Sequence, residues 1–144
     1  MGEKLQSLPI GIQSFEQLRG MGKLYVDKTR CLMRLVEEST RVFLSRPRRF
    51  GKSLTLSTLD ALFRGKVELF KGLAAEGWVA EQAAHPCPVL RLDMSAMEVR
   101  DVSKFEMSLM RELERKAESA GVPIKSSLPG DAFRDLLIGL YDRG

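Results

Sequence analysis

The tripeptide Gly51-Lys52-Ser53 combines three residue types suited to holding a phosphate group. A glycine lets backbone N–H groups approach the phosphate closely, a lysine brings a flexible positive charge to the β- and γ-phosphates, and a serine hydroxyl can ligate Mg2+. The chemistry this implies is nucleotide binding through a phosphate loop, with ATP and Mg2+ as ligands and Ser53 as the metal contact. The consensus for such a loop has another glycine five places earlier, where this chain has Arg46. Pro47 removes one backbone donor and fixes its own φ, so the cradle must be built from Arg48, Arg49, Phe50, Gly51, Lys52 and Ser53, running into Leu54. A basic turn that opens a helix, with Lys52 in solvent, accounts for the same residues.

The net charge is +4, but Arg41, Arg46, Arg48, Arg49, Lys52, Arg64 and Lys66 crowd one segment, so an anionic partner is expected there. A nucleic-acid backbone is the alternative to a nucleotide, contacted by Arg41, Arg46, Arg48, Arg49 and Lys66. Only Phe43 and Phe50 stand nearby to stack on bases. A third reading is a regulatory domain that nucleotide stabilises by mass action without being hydrolysed. Cys31 and Cys87 lie far apart and lack the spacing of a zinc site or a redox pair, so both are expected to be buried thiols. The single histidine, His85, falls in a loop before Cys87.

Those residues need a scaffold, and 144 residues suffice for one domain with a sizeable core. With 44% hydrophobic and 29% charged residues, the composition is that of a globular protein. No stretch approaches the ~20 apolar residues needed to span a bilayer, and no signal-peptide pattern opens the chain. A cytoplasmic location without a membrane partner is expected. The Met1-Gly2 start lacks the Ser or Thr that myristoylation wants where Gln6 stands.

Along the chain, a polar entry holds a short helical pattern from Phe15 to Leu18, stopped by Gly20 and Gly22. Leu24-Tyr25-Val26 is a short extended piece, after which Asp27 or Thr29 can cap a helix carrying Leu32, Leu35 and Val36 and ending near Ser39. Val42-Phe43-Leu44 favours a strand leading into the basic turn, and Leu56, Leu59, Leu62 and Phe63 recur at helical spacing up to Gly65. A helical turn fits Glu68 to Leu73, and Val89-Leu90-Arg91-Leu92 is a second strand candidate. Phe105, Leu109, Met110, Leu113 and Ala117 mark a long amphipathic helix closed by Gly121. Asp131 is expected to cap a last helix burying Phe133, Leu136, Leu137, Leu140 and Tyr141.

Taken together, Leu8-Pro9-Ile10-Gly11 with Phe15, Leu24-Tyr25-Val26-Asp27-Lys28-Thr29 and Phe43 through Ser53 resemble the AAA-ATPase-like proteins. In that family an N-terminal ATPase domain is often followed by a PD-(D/E)XK nuclease-like domain. Leu56-Ser57-Thr58-Leu59, Leu69-Phe70-Lys71-Gly72-Leu73 and Pro88 to Ser95 extend the likeness over most of the chain. The resemblance implies that Arg46 is the family's own usage, that Lys52 and Ser53 take the Walker A roles, and that Tyr25, Asp27 and Lys28 sit near the adenine. A helix cap and a core aromatic remain an equal account of these last three.

The resemblance also implies a Walker B strand beyond Gly144, so the parent protein is expected to be an ATPase while this chain alone lacks hydrolysis. Asp93 is a weaker candidate for that carboxylate, because Arg91 interrupts the apolar run and no Glu follows. The alternation of strands and helices gives an α/β class, a partial three-layer α/β/α P-loop fold with a parallel sheet, truncated before Walker B. Residues 1–24 are expected to form an arm, and residues 25–144 the incomplete ATPase-like domain. An oligomer and a nucleic-acid partner of the parent protein are both compatible with this reading.

Overall fold

The computed structural model describes residues 6–97 and 99–143. The start of the expected arm, including Met1-Gly2, lies outside them. The chain divides into two units, Met1–Cys87 and Pro88–Gly144.

The first unit contains α1 (Phe15–Gly20), α2 (Thr29–Glu38), α3 (Lys52–Phe63), a 3-10 turn at Val67–Phe70 and α4 (Glu76–Gln82). Ser14 caps α1 by accepting from Gln17 N–H. The α1 helix lies against α3, and the core forms where Phe15, Ala61, Leu62, Phe70, Ala75 and Val79 are buried together. The Phe15 ring is the hub, 4.9 Å from Phe70 and 5.1 Å from Tyr25. Burying each such large side chain stabilises the unit by about 1.5–3 kcal/mol. Arg19 adds a polar clasp, donating from Nε to the Leu69 carbonyl at 2.7 Å and from Nη2 to the Lys71 carbonyl at 2.6 Å.

The second unit contains a 3-10 turn at Met94–Ala96, α5 (Val102–Ala120) and α6 (Pro129–Tyr141). Asp101 caps α5 through Lys104 N–H, and Gly121 closes it with φ 66°. The α5 and α6 helices pack on each other around Leu113, Ala117, Val122, Ala132 and Leu136. Pro129 opens α6, and Asp131 lies in its first turn instead of capping it. The buried face of α6 is also displaced from expectation, because Ala132 and Leu136 are buried while Phe133, Leu137 and Tyr141 are exposed.

The expected α/β/α fold with a parallel sheet is not present, since the described residues contain helices and no strand. Residues 24–26, 42–44 and 89–92 are neither helix nor strand. Strand-favouring residues succeed where a half-buried pleated surface receives them, and short strands need several partners. Phe43 is 94% exposed and Val42 48%, so that surface is missing here. Cys31 and Cys87 are likewise exposed and not buried. No helix among the described residues is long and apolar enough to cross a membrane.

Candidate functional site

The Gly51-Lys52-Ser53 tripeptide lies at the start of α3, with Gly51 as the cap residue at φ 74° and ψ 21°. This left-handed conformation suits glycine, which supplies no capping side chain. An α-helix leaves its first N–H groups without intrahelical acceptors, here those of Lys52, Ser53 and Leu54. They and the helix dipole favour an anion. Thr55 reinforces the first turn by donating its N–H and its hydroxyl to the Gly51 carbonyl at 2.9 and 3.0 Å.

The preceding loop is shaped by two contacts. Phe50 N–H donates to the Pro47 carbonyl at 3.4 Å, closing a turn in which Arg49 has φ 67°. Positive φ at that position is what a type II turn requires, and it is uncommon for any residue but glycine or asparagine. Arg46 Nη1 donates to the Phe50 carbonyl at 3.4 Å, so the residue standing in the consensus glycine position spans the loop.

Two hollows adjoin this helix start. One, of about 600 Å3, has Arg49, Gly51, Lys52, Ser53 and Leu54 on one side and Pro9 with Gly11 to Gln13 on the other. The second, of about 540 Å3, is mainly apolar and includes Tyr25, Lys28, Arg46, Phe50, Gly51 and Leu54 in its lining. The structure therefore gathers Arg49 through Leu54, with Tyr25 and Lys28, around two hollows that share Pro9, Gly51 and Leu54. Arg48 lines neither, standing exposed at the turn.

Asp27 is committed elsewhere. Its Oδ1 accepts from Thr29 N–H at 2.8 Å and the Thr29 hydroxyl at 2.7 Å, and its Oδ2 accepts from Ala74 N–H at 2.7 Å. Thr29 is itself fully buried and accepts from Ala75 N–H at 3.1 Å. Desolvation works to raise the Asp27 pKa, but these hydrogen bonds and nearby Arg19 outweigh it and hold the carboxyl below its ordinary value. Tyr25 is shifted upward, chiefly by burial, against the opposing effect of its hydrogen bond with Thr58 on α3.

Asp93 belongs to the second unit, where its Oδ1 accepts from Ser95 N–H at 2.9 Å and the Ser95 hydroxyl at 2.6 Å. These bonds, first the one from the hydroxyl, lower its pKa. Among the described residues no group of three His, Cys, Asp or Glu side chains is placed to hold a metal ion.

Pro9 to Gln13 were not singled out from the sequence as site residues. The signal that places them is tertiary: Phe15 N–H donates to Ser57 Oγ at 2.9 Å, fastening the arm to α3.

A family described as "Predicted AAA-ATPase" matches residues 9–143, and the chain belongs to this AAA-ATPase-like family. A relative from Azotobacter chroococcum mcd 1, described as "Uncharacterized protein in vnfD 5'region", is 42% identical over 118 residues. That match covers 81% of this chain and 22% of the relative, so the chain spans about a fifth of the relative's length. No solved structure gives a significant match.

Proposed function

We propose that the unit Met1–Cys87 binds ATP together with Mg2+, using the loop Arg49 to Leu54 in the manner of a Walker A motif. The observation that carries this reading is the placement of Gly51-Lys52-Ser53 at a helix start without a side-chain cap, facing a hollow of about 600 Å3. Lys52 brings the charge, Ser53 the metal ligand and the first α3 amides the hydrogen bonds to phosphate oxygens. The adjoining apolar hollow is large enough for a base, with Tyr25 and Phe50 in its lining. Bound Mg2+ would neutralise phosphate charge. Family membership adds independent support for a nucleotide ligand.

The test is a titration of labelled ATP with Mg2+ against the wild-type chain and Lys52→Ala. Loss of one phosphate-facing cation is expected to weaken binding by at least about tenfold. Equal affinities would remove the assignment. Hydrolysis is proposed only for a longer protein that brings a Walker B carboxylate pair.

A second reading draws on a specific observation. None of the ion pairs among the described residues involves Arg41, Arg46, Arg48, Arg49 or Lys52, and Phe43 and Phe50 are 94% and 66% exposed among them. Cations interleaved with exposed aromatic rings suit single-stranded nucleic acid. Steeply salt-dependent binding of a single strand that persists under saturating ATP would favour this reading.

A further inference from the structure

The arm that faces the phosphate loop carries a polar side chain with no structural duty. Gln13 is exposed, lines the hollow beside Lys52 and Ser53, and its carboxamide makes no hydrogen bond among the described residues. Its position is held firmly. Two residues later Phe15 is fully buried and donates its N–H to Ser57 Oγ at 2.9 Å. Ser57 lies four residues beyond Ser53, on the same face of α3 and one turn further from the helix start. One helical turn rises about 5.4 Å, and two extended residues span about 7 Å. The backbone between Phe15 and Gln13 is therefore long enough to cover the distance from Ser57 back to Ser53, and Gln13 and Ser53 line the same hollow.

We infer that Gln13 is a ligand-binding residue of this site, its carboxamide NH2 donating to a phosphate oxygen of the nucleotide from the wall opposite Lys52. This rests on the reading of the loop as a phosphate site. A glutamine suits the place because it offers two neutral donors, whereas a glutamate of the same size offers only acceptors and a negative charge. The arm thus acts as the second jaw of the phosphate hollow.

The experiment compares Mg-ATP binding by calorimetry to wild type, Gln13→Ala, Gln13→Glu and Lys52→Ala, with thermal unfolding of each free protein. Gln13→Ala is expected to weaken binding about tenfold, as for loss of one hydrogen bond from a neutral donor to a charged acceptor. Gln13→Glu should weaken it more than tenfold, by repulsion between its carboxylate and the phosphates. The unfolding temperatures of the free Gln13 variants should match wild type, because the side chain makes no hydrogen bond among the described residues. If Lys52→Ala abolishes binding while Gln13→Glu binds as wild type does, the inference fails and the phosphate site stands. If Lys52→Ala binds normally, the site assignment fails and Gln13 falls with it. A lowered unfolding temperature for both Gln13 variants would make the residue structural and overturn the inference.

Discussion

Arg46 reaches across four residues to donate from Nη1 to the carbonyl of Phe50 at 3.4 Å. The bond is long and exposed, so it adds little to global stability, but it restrains the strand of backbone that delivers Gly51 to α3. Arg46→Ala is expected to leave the urea unfolding midpoint within experimental error and to weaken Mg-ATP binding by about two- to threefold. A variant that binds as tightly as wild type would show that the loop holds its shape without the brace.

Gly51 tests the helix start directly. A Cβ built there meets nothing within 4 Å, so space is no obstacle and the left-handed φ of 74° is the constraint. Gly51→Ala should therefore cost about 1 kcal/mol by chemical denaturation, with Gly51→Asn costing less because asparagine tolerates this region. If alanine proves neutral, the backbone has relaxed to negative φ.

Gly65 poses a different problem, because its added Cβ would stand 2.6 Å from Ala83 Cα, a backbone atom, and its φ is 64°. Overpacking and strain act together, and Gly65→Ala is expected to destabilise the first unit by about 2–4 kcal/mol. Loss of fluorescence change from Trp78, which packs against that unit's core, at a lower denaturant concentration would report it.

Asp27 gives the first unit an acid-sensitive tie. Its pKa is lower folded than unfolded, so its contribution is complete above the ordinary carboxylate value of about 4 and is lost as pH falls toward the lowered value. Asp27→Asn should be less stable than wild type at neutral pH, and the difference should shrink progressively below about pH 4. Equal pH profiles for the two proteins would show that Thr29 and Ala74 find other acceptors.

The long α5 helix was legible because Phe105, Leu109, Met110, Leu113 and Ala117 recur at helical spacing up to a closing Gly121. The start of α3 was legible from Gly51-Lys52-Ser53 followed by Leu56, Leu59, Leu62 and Phe63 at helical spacing. The strand candidates do not pair for a physical reason: Val42, Phe43 and Leu44 carry the residue types of a strand, but pairing is a property of neighbours that lie far away in sequence. The outer face of α6 was misjudged similarly, since Phe133 and Tyr141 satisfy the helical period while small Ala132 makes the close contact to α5. Asp27 and Thr29 were candidate caps for α2, whereas Lys28 is the cap residue and the Asp27 carboxylate instead ties Thr29 to Ala74, a partner remote in sequence. Gln13 was invisible for the same reason, because tertiary contacts such as the Phe15–Ser57 bond bring its segment to the loop.

The start of α3, where glycine replaces a capping side chain, has a consequence for how occupancy registers in the backbone. The Lys52, Ser53 and Leu54 amides have no carbonyl one turn earlier in the helix to bond, and such amides trade their hydrogens with solvent almost as freely as a frayed end. An arriving phosphate would act as the missing cap. Deuterium uptake at these three amides would then slow with nucleotide, making the first turn of α3 a built-in recorder of whether the loop is filled.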